Sequence, residues 1–570
     1  MELAIEGRPP APMVAGADGV WEVSVSEAAA GTRYQYRLDG ERYRPDPVSR
    51  FQPQGVHGPS VVVDPDAFAW TDQGFRGAPL AEQAIYELHV GTFSTAGTFE
   101  GVIPYLPGLV DLGVTAIEIM PVAEFPGSRN WGYDGVHLYA PQSTYGGPRG
   151  LRRLVDACHA RGLSVILDVV YNHLGPEGNY LAEFGPYFSE RYKTPWGAAI
   201  DYDGPESGAV RRHVVENARA WIGEFHLDGL RLDAIHAIHD ASGVHVLTEV
   251  AQAAREAGAR LGKPAHVIAE SHDNDRRIVL PARAGGLGLD AVWSDDFHHA
   301  LHVTLTGERA GYYVDFGRAG QLPRTLAEGF AFQGEPSAYF GGARGTASAD
   351  LEGDRFVIAT QTHDQVGNRA QGGRLGTIAP FEAVKLAAAL MLAAPAVPLL
   401  FMGEEYGETA PFPYFTSFLD RGLAEAVRRG RAGEFERFAW QGPIPDPGDP
   451  ATFVRARLNH ALASAPRHRE LREFYRRWLA LRREHPALGA LGKPRARARL
   501  AEDGRVLTLE RAGPSGERVV LVANLGAEPV TWSGPAGARV LIDSADRAFG
   551  GAAVTRPLAA WQVLLFEPRR

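Results

Sequence analysis

The sequence of 570 residues contains a single cysteine, Cys158, which excludes a framework of intrachain disulfides. It has no apolar run of the ~20 residues that a membrane span needs, and no block of Lys or Arg that suggests a nucleic-acid partner. A basic segment followed by an apolar one, typical of secretory signals, does not occur at the N-terminus. These absences predict a cytoplasmic protein. Because one hydrophobic core rarely serves so long a chain, two or three domains are expected.

Both ends of the chain predict β structure. Residues 1–80 are predicted to form an N-terminal β-sandwich, immunoglobulin-like and similar to a carbohydrate-binding module, and residues 491–570 a C-terminal β-sandwich. Both are expected to stabilise the middle of the chain, and glycan binding is the alternative role for the first. The alternation of polar and apolar residues that supports them is clearest in 21–25, 34–38, 506–509, 519–522 and 561–566.

Residues 81–490 alternate between apolar runs and amphipathic segments. Leu151, Leu154, Val155 and Cys158 share one helical face, so Cys158 is expected in the core. Eight strands separated by helices favour a closed (β/α)8 TIM barrel over an open doubly wound sheet. Residues 171–206, after the third strand, are too many for a plain loop and predict a functional excursion over the barrel mouth. The predicted strands are 84–91, 116–122, 164–170, 229–233, 266–269, 291–294, 356–361 and 398–402.

Four short strings place acidic, amide or imidazole side chains at the end of an apolar run. Packing does not require a charge at the tip of a buried strand, and the ends of parallel barrel strands meet on one face. The four strings together therefore predict an active site at the carboxyl end of the barrel. They are 168–173, 229–233, 267–271 and 361–364.

Asp233 and Glu270 end the fourth and fifth predicted strands, so their carboxyl groups are expected to be neighbours. Hydrolysis of a glycosidic bond with retention needs one carboxylate to attack the anomeric carbon and one acid to protonate the leaving oxygen. Arg231, two residues before Asp233, is expected on the same side of the strand and to keep that nucleophile ionised. Glu270 has no adjacent cation in sequence, which permits the raised pKa that an acid needs.

Other polar residues at strand ends are candidates for holding a sugar. His363 and Asp364 follow the seventh strand and His173 follows the third. Asp168, together with Asn172 and His173, has the alternative of a structural calcium or backbone-bracing cluster. Taken singly, an Asp in such a place is more often a helix cap and a His a structural donor. Their joint placement favours catalysis.

The four strings resemble, in order, the signature regions of the α-amylase superfamily, glycoside hydrolase family 13. The resemblance implies Asp233 as nucleophile, Glu270 as general acid and base, and Asp364 as stabiliser of the transition state. It also implies contacts with the sugar at the cleavage point. The candidates for such substrate contacts are Tyr133, Asp168, His173, Arg231 and His363.

Longer strings resemble one group within that superfamily, the maltooligosyltrehalose trehalohydrolases. These strings are 361–369, 401–408 with 411–415, and 45–47 with 52–60. The resemblance implies cleavage of the α-1,4 bond next to the terminal trehalose unit of maltooligosyl trehalose, with no cofactor or metal required. It also implies a pathway partner, the maltooligosyltrehalose synthase. A glucan branching enzyme and a non-catalytic glycan-binding relative remain alternatives, and the presence of both Asp233 and Glu270 argues against the second.

Recognition of a trehalose end predicts a closed, aromatic-walled pocket, because this disaccharide is bent and lacks a free anomeric hydroxyl. Trp196 in the excursion, Tyr339 and Phe340 before the seventh strand, and Glu405 after the eighth are the candidates. For the aromatic residues, burial against neighbouring loops is the alternative, and for Glu405 a helix-cap role.

Overall fold

A computed structural model describes residues 1–436, 443–493, 496–532, 534, 537–551 and 557–568. At its centre eight parallel strands close into a barrel, and each arises from one of the predicted apolar runs. The prediction of a central (β/α)8 barrel is confirmed. In chain order the strands, β1 to β8, are Ile85–Leu88, Ala116–Ile119, Ser164–Val169, Gly229–Leu232, His266–Glu270, Ala291–Trp293, Phe356–Ala359 and Val397–Phe401.

Helices connect successive barrel strands, and the helix Phe381–Ala393 between β7 and β8 is buried from Ala383 to Ala393. The helix Gly147–His159 buries Leu151, Leu154, Val155 and Cys158, the stripe that the spacing predicts. The longer helices are Leu106–Leu112, Gly147–His159, Ser207–Phe225, Val246–Arg260, Asp295–Thr306, Gln321–Glu328, Phe381–Ala393, Arg421–Glu436 and Pro466–Glu484. Short helices lie at Val90–Phe93, Phe99–Val102, His363–Gly367, Leu375–Ile378, Pro450–Val454 and Pro486–Gly489. None of these described helices is long and apolar enough to cross a membrane.

The excursion after β3 contains an antiparallel hairpin, Phe188–Thr194 with Gly197–Ile200. Glu177, near its start, accepts a hydrogen bond from the backbone N–H of Leu419 at 2.9 Å. Its other carboxylate oxygen lies 3.4 Å from Nε2 of His57. One carboxyl therefore links the excursion both to the N-terminal residues and to the segment before helix Arg421–Glu436.

Smaller antiparallel sheets flank the barrel. The two-residue strand Trp21–Glu22 is shorter than the alternating run 21–25, because only its first two residues find a partner strand. The N-terminal sheet contains Glu2–Ile5, Ala11–Pro12, Arg33–Leu38, Arg42–Arg44 and Ser60–Val61, with a separate hairpin of Val14–Ala15 and Trp21–Glu22. Further two-stranded sheets are Ala123–Glu124 with His137–Pro141, and Glu335–Ser337 with Gly342–Arg344.

The described C-terminal strands form one five-stranded antiparallel sheet. Leu507, Leu521 and Leu565 on this sheet join the main hydrophobic core of the protein. The strands are Ala496–Leu500, Val506–Ala512, Arg518–Asn524, Arg539–Asp543 and Val563–Glu567. The predicted fold class, a barrel with additional β domains at both ends, is confirmed, while the predicted domain boundaries stay a prediction.

Candidate active site

The guanidinium of Arg231, on β4, contacts three carboxyl groups at the carboxyl end of the barrel. The residue is 1% exposed. Its Nη1 donates to both side-chain oxygens of Asp168, at 2.9 and 2.8 Å, and to Oδ1 of Asp233 at 3.1 Å. Its Nη2 lies 3.4 Å from Oε2 of Glu270. Since β4 and β5 are adjacent, one cation brings the two predicted reacting carboxyls together.

Asp233 directly follows β4 and is held by the side-chain amide of Asn172. Nδ2 of Asn172 donates to Asp233 Oδ2 at 2.7 Å and to its backbone oxygen at 2.8 Å. Arg231 thus binds one carboxylate oxygen and Asn172 the other. The Asp233 side chain is 13% exposed, so a small part of it is accessible to a substrate.

Glu270 is the last residue of β5 and is oriented by the turn that follows β4. Ala234 has φ +41, a conformation uncommon for a residue with a Cβ, and its N–H donates to Glu270 Oε2 at 2.5 Å. Burial raises the pKa of Glu270 to about 8, although the guanidinium of Arg231 opposes this rise. No cation is adjacent to Glu270 in sequence, but Arg231 reaches it in space from the neighbouring strand. The group nevertheless carries a proton at neutral pH.

Tyr133 connects the third and seventh strand ends. Its hydroxyl donates to Asp168 Oδ2 at 2.6 Å and lies 2.8 Å from Nε2 of His363. The rings of Tyr133 and His363 stack with centroids 5.3 Å apart. Asp168 and His363 are buried, whereas Tyr133 is partly exposed. Burial raises the pKa of Asp168 to about 6 against the effect of Arg231, so its carboxyl is ionised at neutral pH.

Asp364 lies in the first turn of the short helix His363–Gly367. Thr362 caps this helix, and Gln365 completes a capping box, so the helix start is fixed. The Asp364 side chain is 43% exposed, its Oδ1 lies 4.0 Å from Nε2 of His363, and it accepts from Asn368 Nδ2 at 3.3 Å. It is the most exposed of the three predicted catalytic carboxyls.

His173 and Trp196 meet at the rim of the site. The Trp196 ring, in the excursion hairpin, stacks on His173 with centroids 5.0 Å apart and is half exposed. Nε2 of His173 lies 3.1 Å from the backbone oxygen of Tyr133. Trp196 therefore contacts His173, which in turn contacts the backbone of Tyr133.

Of the remaining predicted pocket residues, Tyr339 and Phe340 lie together and Glu405 lies apart from them. Tyr339 and Phe340 are half exposed, and Phe340 stacks on His272, two residues beyond Glu270, at 4.6 Å. Glu405 is buried instead, and its carboxylate accepts from the hydroxyl of Tyr86. Burial raises the pKa of Glu405 to about 7. Glu405 therefore does not share the exposed rim with the aromatic candidates.

Three polar residues of the site were missed as candidates. Glu87 on β1 contacts His363, Asn172 holds Asp233, and Asp295 after β6 accepts from Gln365 at 3.1 Å. Burial raises the pKa of Asp295 to about 7. Glu87 was detectable, because a carboxyl inside an apolar strand needs a buried partner.

A structural calcium or backbone-bracing cluster at Asp168, Asn172 and His173 is an alternative that the sequence leaves open. Among the described residues no three His, Cys, Asp or Glu side chains are placed to hold a metal ion. The amide of Asn172 bonds to Asp233 through its nitrogen and to His173 through its oxygen.

The chain is similar in sequence to known proteins. The family model "Alpha amylase, catalytic domain" matches residues 63–196. A malto-oligosyltrehalose trehalohydrolase of Saccharolobus solfataricus is 47% identical over 82% of this chain and 80% of that protein. One of Rhizobium sp. is 42% identical over 95% and 91%.

The chain is also similar to a solved structure and to a more distantly related enzyme. A solved structure described as an α-amylase from Salmonella typhimurium superposes with a TM-score of 0.91 at 41% identity, covering 100% of this chain and 95% of that one. A 1,4-alpha-glucan branching enzyme of Xanthomonas campestris is 29% identical over 74% of this chain and 59% of its own length.

Proposed function

The chain belongs to the family of malto-oligosyltrehalose trehalohydrolases, and we propose that it releases trehalose from maltooligosyl trehalose by a retaining mechanism at the Arg231 site. The observation that carries this proposal is the single guanidinium shared by the carboxyls of Asp233 and Glu270. An enzyme that forms a covalent glycosyl intermediate needs two such carboxyls close together.

In the first step Asp233 attacks the anomeric carbon of the glucose on the non-reducing side of the scissile bond. The bond from that carbon to the leaving oxygen breaks, and Glu270 gives its proton to this oxygen, so trehalose departs. Support for the acid role comes from the pKa of Glu270, which burial raises to about 8. Support for Asp233 as the nucleophile comes from the two donors that orient its carboxylate. The guanidinium of Arg231 donates to Oδ1, and the side-chain amide of Asn172 donates to Oδ2.

In the second step the Glu270 carboxylate takes a proton from water, and the water oxygen attacks the same anomeric carbon. The ester to Asp233 breaks and its electron pair returns to the Asp233 carboxylate, Glu270 now holds the proton taken from water, and the maltooligosaccharide leaves with its α configuration. Asp364, with its exposed carboxylate, is assigned to the sugar hydroxyls that tighten their hydrogen bonds in the transition state.

The trehalose end is assigned to the exposed aromatic rings of the rim. Trp196 stacks on His173 and is half exposed, so part of its ring is available to a sugar. Phe340 is also half exposed, although it contacts both His272 and the guanidinium of Arg344. Tyr339 lies beside Phe340, with ring centroids 5.0 Å apart. Such rings accept a bent disaccharide through apolar faces and reject an extended chain by shape.

The cellular setting is inferred from the family. The substrate is supplied by an enzyme that converts the reducing end of a maltooligosaccharide into a trehalose unit, the maltooligosyltrehalose synthase. A cytoplasmic location fits the single cysteine.

The test separates this function from glucan branching on the same fold. Purified protein is incubated with maltooligosyl trehalose and, separately, with amylose. Trehalose release without new α-1,6 branches is expected. Branches formed without any trehalose would assign the chain to the transferases.

A further inference from the structure

Glu87 is a buried carboxyl beneath the proposed site that the mechanism above does not use. It lies on β1 and is 1% exposed. Its Oε2 accepts from the backbone N–H of His363 at 3.0 Å, and its Oε1 contacts Nδ1 of the same histidine. A carboxyl removed from water needs such partners to remain charged. Both carboxyl oxygens of Glu87 therefore contact a single residue, His363, which follows β7.

The hydrogen bonds on the Nε2 side of His363 determine which of its ring nitrogens carry a proton. Asp168 is a carboxylate bonded to Arg231, and a carboxylate can only accept, so the Tyr133 hydroxyl donates to it. The Tyr133 oxygen is then left to accept from Nε2 of His363, which requires a proton on Nε2. Nδ1, which faces Glu87, requires a proton as well. With protons on both ring nitrogens, His363 is an imidazolium.

The charges around His363 agree with this assignment. Burial alone lowers the pKa of His363, and Arg231 lowers it further, but Glu87 and then Asp364 raise it, to about 9 overall. The titratable or charged groups that act on the ring from the neighbouring elements are Glu87, His89, Tyr133, Asp168, Arg231 and Asp364.

Resting on the function proposed above, we propose that Glu87 is a positioning residue of this enzyme. It holds His363 as a cation whose Nε2–H points toward Tyr133 and the sugar site beside Asp364. Through that hydrogen bond it keeps the Tyr133 hydroxyl turned to Asp168 and the Tyr133 ring in place under the sugar. Glu87 itself is buried and touches no substrate.

Glu118 provides a matched control on the neighbouring strand. It lies on β2 directly opposite Glu87 in the parallel register and is equally buried, at 1% exposed. Neither of its carboxyl oxygens has a hydrogen-bond partner among the described residues. Burial raises the pKa of Glu118 well above its usual range, which favours the neutral form. Glu118→Gln therefore removes no hydrogen bond that the described residues make with this side chain.

The experiment compares Glu87→Gln and Glu118→Gln with the parent protein. Trehalose release is followed as kcat/KM from about pH 5 to about pH 10, a range that brackets the ordinary pKa of histidine. Glu87→Gln is expected to lose about tenfold to a hundredfold near neutral pH, the usual effect of one charged hydrogen bond. Its activity should recover in part at lower pH, where His363 regains a proton without Glu87. Glu118→Gln is expected to stay within about twofold of the parent.

A structural role of Glu87 would not move the pH profile, so a profile for Glu87→Gln parallel to that of Glu118→Gln would overturn the proposal. The second measurement is NMR of protein with labelled histidine, in which the His363 signals are those absent from a His363→Gln variant. Both ring nitrogens of His363 should stay protonated through about pH 8 in the parent. A neutral ring at neutral pH would overturn the proposal even if Glu87→Gln did not fold. If the parent released no trehalose, the proposed function would fail, and the NMR result would still decide the state of His363.

Discussion

At the scale of single residues, Arg231 concentrates the charge of the site. Its guanidinium meets Asp168, Asp233 and Glu270, and its Cζ lies 4.2 Å from the ring centroid of Trp293. A planar cation with several fixed donors can serve three carboxyls at once, whereas a lysine offers one point charge. Arg231 therefore opposes the rise in pKa that burial imposes on the carboxyl groups of Asp168 and Glu270.

The assigned roles of Asp233 and Glu270 predict different responses to mutation. Asp233→Ala and Glu270→Gln should each lower kcat for trehalose release by at least about a thousandfold, because each removes one bond-making group. With a glycosyl donor whose leaving group needs no proton, Glu270→Gln should recover much of the first step and Asp233→Ala should not. Turnover of both substrates is measured beside circular dichroism spectra. If either variant retained turnover within a few-fold of the parent, its role would be misassigned.

The pKa of Glu270 predicts the alkaline limit of activity. Glu270 must carry a proton to act as an acid, and its pKa is raised to about 8. The profile of kcat/KM should therefore fall as pH rises through that value. A higher salt concentration should shift this alkaline limit little, because burial shields the Glu270 carboxyl from dissolved ions. A limit near the ordinary pKa of a glutamic acid would contradict the assignment of the acid.

At the scale of elements, the excursion after β3 presents Trp196 to the barrel mouth. The start of the excursion is held by Glu177, which contacts both His57 and the backbone before helix Arg421–Glu436. The rim is thus built from parts of the chain far apart in sequence. Such ties hold a long segment in one conformation, which reduces the entropy lost when substrate binds.

Trp196→Ala should raise KM for maltooligosyl trehalose by about threefold to tenfold with little change in kcat, because a stacking surface of about 1 kcal/mol is lost. Trp196→Phe should keep most of the affinity. Trp21→Ala is the matched control, since Trp21 is also half exposed but lies in the N-terminal hairpin. An equal rise in KM for Trp21→Ala would instead favour glycan binding by the N-terminal residues.

The sequence predicts the barrel well because each barrel strand is buried on both faces and appears as an uninterrupted apolar run. Prediction from the sequence fails where the structure of a residue depends on a partner strand or on a side chain distant in sequence. Residues 21–25 alternate like a strand, but only Trp21 and Glu22 are paired. Likewise, spacing along β4 places Arg231 beside Asp233, yet its contact with Glu270 depends on the register between two strands.

Glu405 shows a second limit of sequence reasoning. It follows β8, as a rim residue would, but the chain turns there into a short 3-10 helix and directs the carboxyl to Tyr86 on β1. Closure of the barrel, which makes β8 and β1 neighbours, cannot be read from local pattern.

At the scale of the whole molecule, a second charged network lies at the opposite end of the barrel, just before β4. His159 lies 2.9 Å from a carboxylate oxygen of Asp72 on one side and of Asp228 on the other. Lys263 donates to Asp228 at 2.7 Å. Asp72 belongs to the segment between the N-terminal sheet and β1, so the network fastens that segment under the barrel.

Asp72→Asn should lower the free energy of unfolding near neutral pH by about 1–3 kcal/mol, the usual loss for a charged hydrogen bond. Burial raises the pKa of Asp72, but hydrogen bonds from His159 and His226 lower it to about 2 overall. Its stabilising effect is therefore full above the ordinary value of 3.8 and is lost as pH falls toward 2. Denaturant unfolding at several acidic pH values should show the parent and the variant converging.

The control Asp111→Asn removes an exposed partner of Arg472 and should change stability by less than about 0.5 kcal/mol. A difference that persists below pH 2 would contradict the electrostatic account.

Cys158, packed inside helix Gly147–His159, is the only sulfhydryl in the sequence and has no exposed surface. A maleimide dye should therefore leave the native protein unmodified. A cysteine introduced at Val244, which is 55% exposed, would then be the sole attachment point for a fluorophore, so movements of the segment between β4 and helix Val246–Arg260 become observable during turnover without removing any natural residue from the core.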